Sequence, residues 1–282
     1  MRGSRERQAE GEEPVLDTSA FGLINETYRL GLRPGRGIGV VINLSSRRSL
    51  TLGSVPFPCP VVDVADQRVS YYTTFVDSLI EGLRGFVAAN GFQAVCAIGS
   101  SKSGFGALLV SRELARALPQ VQVSALAFGA QTRLWPPNEA IRFKSYHNLL
   151  ERAGRRRRIL RDLQRFGDVR APADLPNLRW SVFYGDRHPV DAGEALALAG
   201  RSVALKPLPT RLHATILPFL CAGAGRAGVE GVVAAYHGRA ASDEDLKASL
   251  PSDKEADMVE EILALGPQPG LADLIRDQPG FA

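Results

Sequence analysis

Short apolar runs alternate along the chain with segments of helical periodicity, and this alternation limits the possible folds more than any other feature. Apolar, β-branched runs predict buried strands, and apolar residues spaced three or four positions apart predict helices. Strands are expected at 37–44, 59–66, 92–99, 121–129, 180–186 and 202–208, and helices at 72–91, 105–118, 194–200 and 214–225. Such alternation predicts an α/β fold with a mostly parallel sheet and helices on both faces.

The 282 residues are enough for one large core. Residues 1–14 are charged and lack the apolar stretch of a signal peptide, so we expect a disordered leader. Residues 15–240 are predicted to form the α/β domain, in which the connection 136–179 between two strands is unusually long and partly helical in pattern. Residues 241–282 are acidic and helical in pattern, and they are expected to form a peripheral tail.

The composition is that of an ordinary globular protein, with 45% hydrophobic residues and a net charge of +4. Arg152 and Arg155–Arg158 supply more than this excess, so the charge is local and predicts no nucleic-acid partner. The basic segment is either a solvated helix face or a means of attracting an anionic substrate. The widely spaced Cys59, Cys96 and Cys221 predict reduced thiols and a cytoplasmic location, with no zinc site. No run is long enough for a transmembrane segment.

The segment GSSKSGFG, residues 99–106, follows a predicted strand at the edge of the sheet where ligands bind in α/β folds. A phosphate-binding P-loop needs a lysine directly after its second glycine, but Phe105 follows Gly104. The dinucleotide-binding pattern also fails, because Leu109 stands where a third glycine or alanine is needed. No nucleotide cofactor is therefore expected. We also predict no metal.

A nucleophile held on a sharp strand-to-helix turn fits this segment better. Such a turn needs small residues two positions before and two positions after the nucleophile, because the backbone is crowded there. Ser101 meets this condition with Gly99 and Ser103, whereas Ser100 and Ser103 each have a large residue at one of these positions. Ser101 is thus the predicted nucleophile. The alternative is a tight connection without chemistry.

Chain order selects a histidine independently. Where a serine nucleophile occupies such a turn, the acid follows a late strand and the histidine lies in the last loop. His213 lies between the predicted strand 202–208 and an apolar segment, in the position expected for a catalytic base. His188 lies in the region of the expected acid, and His147 and His237 lie in polar, surface-like surroundings.

Three segments together resemble the α/β-hydrolase superfamily: GSSKSGFGALL, LAFGAQTRL, and YGDRHPVDAGEALAL with VALKPLPTRLHATIL. More narrowly, they resemble bacterial α/β-hydrolase-like proteins of surface-polysaccharide and accessory Sec systems. The resemblance covers residues 37–225. It departs from the family pattern at Ser103, where a glycine is usual, and at Ala130, where a proline is common. It implies an α/β-hydrolase-like sheet with the insertion 136–179 as a helical cap over the active site, and an esterase or acyltransferase without a cofactor.

The resemblance also implies a Ser-Asp-His triad in which His213 takes a proton from Ser101 and a carboxylate orients the imidazole. Asp191 is placed ahead of Asp186, because the family's acid loops commonly have a P-x-D step that PVD matches. Pro189 would also hold that carboxylate in place. Asp186 as the acid, with Asp191 only capping a helix, stays the alternative.

Two backbone N–H groups are needed for the oxyanion, and we expect them from Lys102 and Ser45. The Lys102 side chain is expected to be a solvated neighbour, although it would favour an anionic substrate. The predicted substrate is a small-molecule ester or a glycan ester, with hydrolysis and acyl transfer both open and the oligomeric state undetermined. The alternative is a catalytically silent scaffold that binds a glycan or a protein partner, which the departure at Ser103 keeps open.

Overall fold

A seven-stranded sheet forms the centre of the protein, with the strand order β1-β3-β2-β4-β5-β6-β7. The computed structural model describes residues 15–45, 52–53, 55–170, 174–198, 203–240 and 255–281. Its strands are β1 (Tyr28–Arg33), β2 (Gly39–Ser45), β3 (Val61–Asp66), β4 (Ala94–Ser100), β5 (Gln122–Phe128), β6 (Leu178–Gly185) and β7 (Val203–Leu208). All neighbouring strands are parallel except β1 and β3, which are antiparallel. The predicted α/β class with a mostly parallel sheet is confirmed.

Helices cover both faces of this sheet, as the sequence predicts. A short 3-10 helix (Ser19–Leu23) precedes β1, and the α-helices are α1 (Val76–Ala89), α2 (Lys102–Ala117), α3 (Lys144–Arg155), α4 (Arg157–Phe166), α5 (Pro189–Leu196), α6 (Leu217–Leu220), α7 (Arg226–Ala240), α8 (Glu255–Ala264) and α9 (Leu271–Arg276). The larger core packs α1, α2, α3 and α4 against one face. The smaller core packs α6 and α9 against the other face.

Two local features differ from the predicted pattern. The edge strand β1 was not predicted, because its sequence, YRLGLR, has neither a continuous apolar run nor clear alternation. Helix α1 begins at Val76 and not at residue 72, because Tyr71, Tyr72 and Phe75 have positive φ angles that no helix accepts. The chain therefore makes an irregular turn between β3 and α1.

The C-terminal segment packs on the domain and is not a peripheral tail in the part that the structure describes. Helix α8 buries Met258 and Ile262 against α7, and helix α9 buries Leu271 and Ile275 against the second face of the sheet. A parallel sheet needs cover on both faces, and α9 provides part of it. The predicted leader 1–14 and the first part of the predicted tail, 241–254, lie outside the described residues.

The connection between β5 and β6 carries α3 and α4, so the predicted helical insertion 136–179 is present. Its inner side is apolar, with Tyr146, Leu149 and Leu163 buried against the domain. Some of its arginines make contacts of their own: the Arg158 guanidinium lies 4.0 Å over the Phe75 ring. Such contacts help to hold the cap on the domain. The arginines of the cap therefore have a packing role that does not depend on an anionic substrate.

The three cysteines are buried and free. Burial raises the pKa of Cys59 to about 11 and that of Cys96 to about 12, which makes both thiols poor nucleophiles. Among the described residues, no helix is long and apolar enough to cross a membrane.

The packing of α8 is tested by Ile262→Ala. Ile262 is 4% exposed, so its truncation should leave a cavity and lower the free energy of unfolding by about 2–4 kcal/mol. Leu196→Ala is the matched control, because Leu196 is 66% exposed and its loss should cost less than about 0.5 kcal/mol. Urea unfolding measures both. Equal small losses would show that the segment is peripheral after all.

Candidate active site

Ser101 occupies a strained turn between β4 and α2. Its φ and ψ angles are 54° and −119°, a combination that a residue with a side chain rarely adopts. The turn is held at both ends, because Ser101 N donates to Phe128 O at 2.7 Å and Ser101 O accepts from Phe105 N at 3.1 Å. Strain of this kind is commonly stored at functional sites. It lifts the Ser101 side chain out of the sheet at the carboxyl ends of the strands.

The Ser103 departure from the family pattern is accommodated by Gly99. A Cβ at Gly99 would lie 2.1 Å from the backbone oxygen of Ser103 and 2.9 Å from Ser103 Cβ, so only a glycine fits at position 99 beside Ser103. Ser103 is buried, and its hydroxyl hydrogen-bonds to Tyr72. The tight turn therefore forms with a serine where a glycine is usual.

His213 lies beside Ser101 and is almost fully buried, at 5% exposed. Its Nε2 atom is 2.8 Å from Ser101 Oγ, and its Nδ1 atom is 2.9 Å from both carboxylate oxygens of Asp191. A carboxylate can only accept, so Nδ1 carries the proton and Nε2 presents its lone pair to the serine hydroxyl. The structure thus brings together Ser101, His213 and Asp191 in one hydrogen-bonded series.

Asp191 and Asp186 are placed very differently. Asp191 is 2% exposed and faces His213, whereas Asp186 is exposed at the end of β6. The N-cap of α5 is His188, whose Nδ1 lies 3.2 Å from Asp191 N, so the Asp191 carboxylate is not used as the cap. The structure therefore favours Asp191 over Asp186 as the carboxylate that orients His213.

The pKa of Asp191 is set by opposing effects. Burial on its own would raise it, but the charge and hydrogen bond of His213, together with the His188 imidazole beside the carboxylate, outweigh burial and lower the pKa below its usual value. The carboxylate is therefore ionised at neutral pH. An ionised Asp191 stabilises a positive charge on His213.

His188 is a second imidazole on the same carboxylate. Its Nδ1 lies 3.3 Å from Asp191 Oδ1, and the ligand atoms of His188, Asp191 and His213 all lie within 4.8 Å of one another. These three groups are close enough to hold a metal ion. In the geometry observed, however, His213 Nδ1 and the carboxylate are hydrogen-bonded to each other, and a metal would have to replace that bond.

The remaining histidines lie elsewhere. His147 is exposed on α3, and His237 lies on α7 with its Nε2 3.1 Å from Met258 Sδ. Neither belongs to the hydrogen-bonded series. His147 lies at its predicted surface position, whereas His237 is half-buried against α8.

The His213 loop is fixed from two sides. Gly129, with φ 52°, allows close approach, because a Cβ there would lie 2.4 Å from His213 O. On the other side, Glu261 of α8 accepts hydrogen bonds from the Thr210 hydroxyl and from Arg211 N, the latter at 2.9 Å. Sequence patterns give no sign of Glu261, because it lies far along the chain in a segment of surface-like composition.

The irregular turn between β3 and α1 supplies two tyrosines. The Asp66 carboxylate accepts from Ser70 N at 2.6 Å and from Tyr72 N at 3.2 Å, and it thereby holds the turn together. The Tyr72 hydroxyl donates to the last residue of β2, with Ser45 O 2.6 Å away. Tyr71 reaches the cap, with its hydroxyl 3.1 Å from Ser145 Oγ. Their place directly after a parallel strand is the signal that could have found them.

The two predicted oxyanion donors lie at the same edge of the sheet. Lys102 is the first residue of α2, directly after Ser101. Ser45 is the last residue of β2. Asn43, two positions earlier, pairs with Ile98 of β4, so Ser45 lies level with Ser100, which is two positions after Ile98. The loop that follows Ser45 lies outside the described residues up to residue 51.

The Lys102 side chain is not the solvated neighbour expected from the sequence. Lys102 is 7% exposed, and its Nζ lies 3.4 Å from Ser145 Oγ at the start of α3. The burial results from the cap, whose first helix lies over this edge of the sheet. Phe143, two residues before Ser145, lies with its ring centre 5.3 Å from that of His213. The cap therefore contacts both Lys102 and His213, the chain neighbour and the hydrogen-bond partner of Ser101.

Comparison with known proteins gives matches in structure only. No protein-family model and no curated protein matches the chain. A hydrolase from Oleispira antarctica is 10% identical with a TM-score of 0.45, covering 73% of this chain and 97% of that one. An esterase from Pyrobaculum calidifontis is 14% identical with a TM-score of 0.44, covering 73% and 78%. A lipase-esterase related protein from Clostridium acetobutylicum is 12% identical with a TM-score of 0.41, covering 67% and 93%.

Similarities of this size carry no information on activity or substrate, and none of these three proteins is described as part of a surface-polysaccharide or accessory Sec system. The fold class is supported by the chain's own topology. The parallel sheet with one antiparallel edge strand, the strained serine turn after β4 and the helical insertion after β5 together form an α/β-hydrolase-like fold.

Asp191→Asn should reduce stability mainly above about pH 4. Because the pKa of Asp191 is lower in the folded protein than its unfolded value of about 3.9, the ionised carboxylate stabilises the fold above that pH. This contribution is lost as the pH falls through the folded pKa. The difference in unfolding free energy between wild type and Asp191→Asn, measured in urea, should be larger near neutral pH than at about pH 3. Asp186→Asn is the control, because Asp186 is exposed. If Asp191→Asn lowered the unfolding free energy by the same amount at both pH values, the lowered pKa of Asp191 would be wrong.

Proposed function

We propose that the protein is a serine-dependent carboxylic-ester hydrolase or acyltransferase. The observation that carries this proposal is the hydrogen-bonded series at the strained turn, with Ser101 Oγ 2.8 Å from His213 Nε2 and His213 Nδ1 2.9 Å from Asp191. A nucleophile, a base in hydrogen-bond reach and a group that orients the base are the three parts that acyl transfer requires.

In the first half of the reaction, Ser101 Oγ attacks the carbonyl carbon of the ester as its proton passes to His213 Nε2. Asp191 stabilises the imidazolium that forms, without taking the proton itself. When the tetrahedral intermediate breaks down, the alcohol leaves with the proton from His213 Nε2 and the acyl group stays on Ser101. The burial of His213 and Asp191 strengthens these electrostatic effects.

In the second half, His213 takes a proton from water or from an acceptor hydroxyl, whose oxygen attacks the acyl carbon. Ser101 recovers its proton, and the acyl group leaves as a carboxylic acid or as a new ester. Water gives hydrolysis, and an acceptor hydroxyl gives acyl transfer, with the same residues in the same roles.

The oxyanion of each intermediate is proposed to be held by the backbone N–H groups of Lys102 and Ser45. Support for Lys102 comes from its place at the N-terminus of α2, where the helix dipole favours negative charge. Support for Ser45 comes from its place level with Ser100, where the Tyr72 hydroxyl holds its carbonyl.

A small-molecule ester is the proposed substrate. The narrower proposal of a carbohydrate-linked acyl group is based on the resemblance of motifs alone. A catalytically silent scaffold that binds a glycan or a protein partner is the competing outcome. A metal site at His188, Asp191 and His213 is a further outcome, because these groups lie close enough to hold an ion. Activity that EDTA abolishes would favour the metal, whereas no turnover and no labelling of folded protein would favour the scaffold.

Ser101→Ala should abolish turnover of 4-nitrophenyl esters, with a loss on the order of 10⁴-fold or more in kcat, because loss of the nucleophile removes most of the rate. A fluorophosphonate probe should label wild type at Ser101 and should not label the variant. Ser100→Ala is the matched control, since it removes the neighbouring hydroxyl and should keep both labelling and turnover. A dead Ser100→Ala protein beside an active Ser101→Ala protein would overturn the choice of nucleophile.

Replacing each of the two aspartates by asparagine tests which carboxylate orients His213. Asp191→Asn keeps the shape but loses the charge that stabilises the imidazolium, so kcat should fall by about 10³- to 10⁴-fold. Asp186→Asn, at the exposed end of β6, should retain most of the activity. Steady-state kinetics at neutral pH measure both, with circular dichroism to show that each variant is folded. The reverse pattern would transfer the role to Asp186.

A further inference from the structure

The His213 loop, residues 209–216 between β7 and α6, begins with a residue that joins three parts of the fold. Thr210 is 1% exposed. Its hydroxyl donates to Glu261 Oε2 of α8 and accepts from Leu212 N at 3.1 Å. Its carbonyl oxygen accepts from Arg187 N, in the loop after β6, at 3.2 Å. Thr210 therefore connects the α8 carboxylate with two loops at the edge of the sheet.

Glu261 holds this connection through one carboxylate oxygen. Glu261 Oε2 accepts from the Thr210 hydroxyl and from Arg211 N, the latter at 2.9 Å. Hydrogen bonds to a carboxylate are shorter and stronger than those between neutral groups. One side chain thus fixes two successive residues, which lie three and two positions before His213.

The residues on either side of His213 are packed by the same part of the chain. Leu212 and Ala214 are 1% and 6% exposed. They lie in a small core with apolar residues of α7 and α8: Val229, Val233, Met258, Val259 and Ile262. Apolar contacts are not directional, whereas hydrogen bonds weaken steeply away from their preferred angles. The core therefore holds the His213 loop on the domain, and the bonds to Glu261 constrain its orientation.

The acid loop, residues 186–188 between β6 and α5, leads to Asp191 and lies against the same threonine. Gly185 allows this close approach, because a Cβ there would lie 2.7 Å from Thr210 O and 3.0 Å from Leu212 O. The two loops are thus in backbone contact. A displacement of Thr210 would disturb both of them.

The geometry that these loops set has little tolerance. His213 Nε2 lies 2.8 Å from Ser101 Oγ, and proton transfer needs heavy atoms at about 2.6–3.2 Å. A base displaced by about 1 Å loses this hydrogen bond, and misplacement of that size can cost about 10²-fold in rate. Whatever holds the His213 loop therefore affects the rate of proton transfer.

We propose that Glu261 is a positioning residue for acyl transfer. By holding Thr210 and Arg211, it keeps His213 Nε2 at the distance from Ser101 Oγ that proton transfer needs. This inference rests on the proposed acyl-transfer function. Glu261 acts through the loop and takes no proton in the reaction, so α8 contributes to catalysis as well as to packing.

Glu261→Ala removes both hydrogen bonds from α8 to the loop. With 4-nitrophenyl acetate, kcat should fall about 10- to 100-fold while KM changes less than about two-fold, because the base is displaced and the substrate contacts are kept. Glu261→Gln retains an oxygen that can accept from the Thr210 hydroxyl, so it should restore most of the wild-type kcat. A Glu261→Ala protein with the wild-type kcat would overturn the inference.

Glu260→Ala is the matched control, because it removes the adjacent carboxylate of α8, which is exposed and paired with Arg226. Its kcat should equal that of wild type, and an equal loss in both variants would overturn the specific role of Glu261. The fluorophosphonate probe should still label all of the Glu261→Ala protein, but more slowly. Labelling of only a fraction, at the wild-type rate, would mean that the variant is partly unfolded and would reject a positioning effect.

A double-mutant cycle tests whether Glu261 acts through Thr210. Thr210→Val keeps the shape of the side chain closely and removes its hydroxyl. If the two residues form one connection, the loss of kcat in Glu261→Ala/Thr210→Val should be clearly smaller than the product of the two single losses. Losses that multiply would show that Glu261 affects turnover by another route, against the inference.

Hydrogen exchange separates this inference from the proposed function, because it needs no turnover. The backbone amides of residues 210–216 should exchange faster in Glu261→Ala than in wild type or Glu260→Ala, since the loop has lost its anchor. Faster exchange, with neither turnover nor labelling in wild type, would retain the anchor but reject the hydrolase and with it the catalytic role of Glu261. Turnover and labelling in wild type, with exchange unchanged in Glu261→Ala, would retain the hydrolase and reject the positioning role.

Discussion

The close approach of α2 to the end of β4 is the constraint on which the rest of the site depends. Ser101 takes its strained conformation where Gly99 leaves room for Ser103. Gly106 in turn lets α2 pack on the Tyr72 ring, because a Cβ at position 106 would lie 2.4 Å from a Tyr72 ring carbon. The bond from Ser101 N to Phe128 O then ties the turn to the next strand. The packing of one helix thus determines where the serine hydroxyl points.

The geometry around this turn depends on loops that come from distant parts of the chain. Strands β5, β6 and β7 end side by side at the same edge of the sheet, and the segments after them bring Gly129, Asp191 and His213 into contact. Parallel strands make this convergence possible, because their carboxyl ends meet at one edge. The nearly complete burial of His213 and Asp191 follows from the same convergence, together with cover from the cap.

Sequence reasoning was most specific where the signal comes from residue spacing and chain order. The need for small residues on either side of a turn nucleophile selected Ser101, and chain order with the PVD step selected His213 and Asp191, which the structure places in one hydrogen-bonded series. It failed where tertiary contacts decide. Strand β1 pairs with β3 without a strong pattern of its own, and the burial of Lys102 depends on a cap that no local pattern positions.

The contact between Glu261 and the His213 loop has a consequence for the order in which the protein is made. The serine turn is translated early, the loop that carries His213 much later, and the α8 carboxylate that holds Thr210 and Arg211 later still. A nascent chain that ends before α8 therefore lacks the carboxylate that anchors the His213 loop. Chains released before α8 would carry the nucleophile with an unanchored base, so the final arrangement of the site depends on synthesis continuing beyond Glu261.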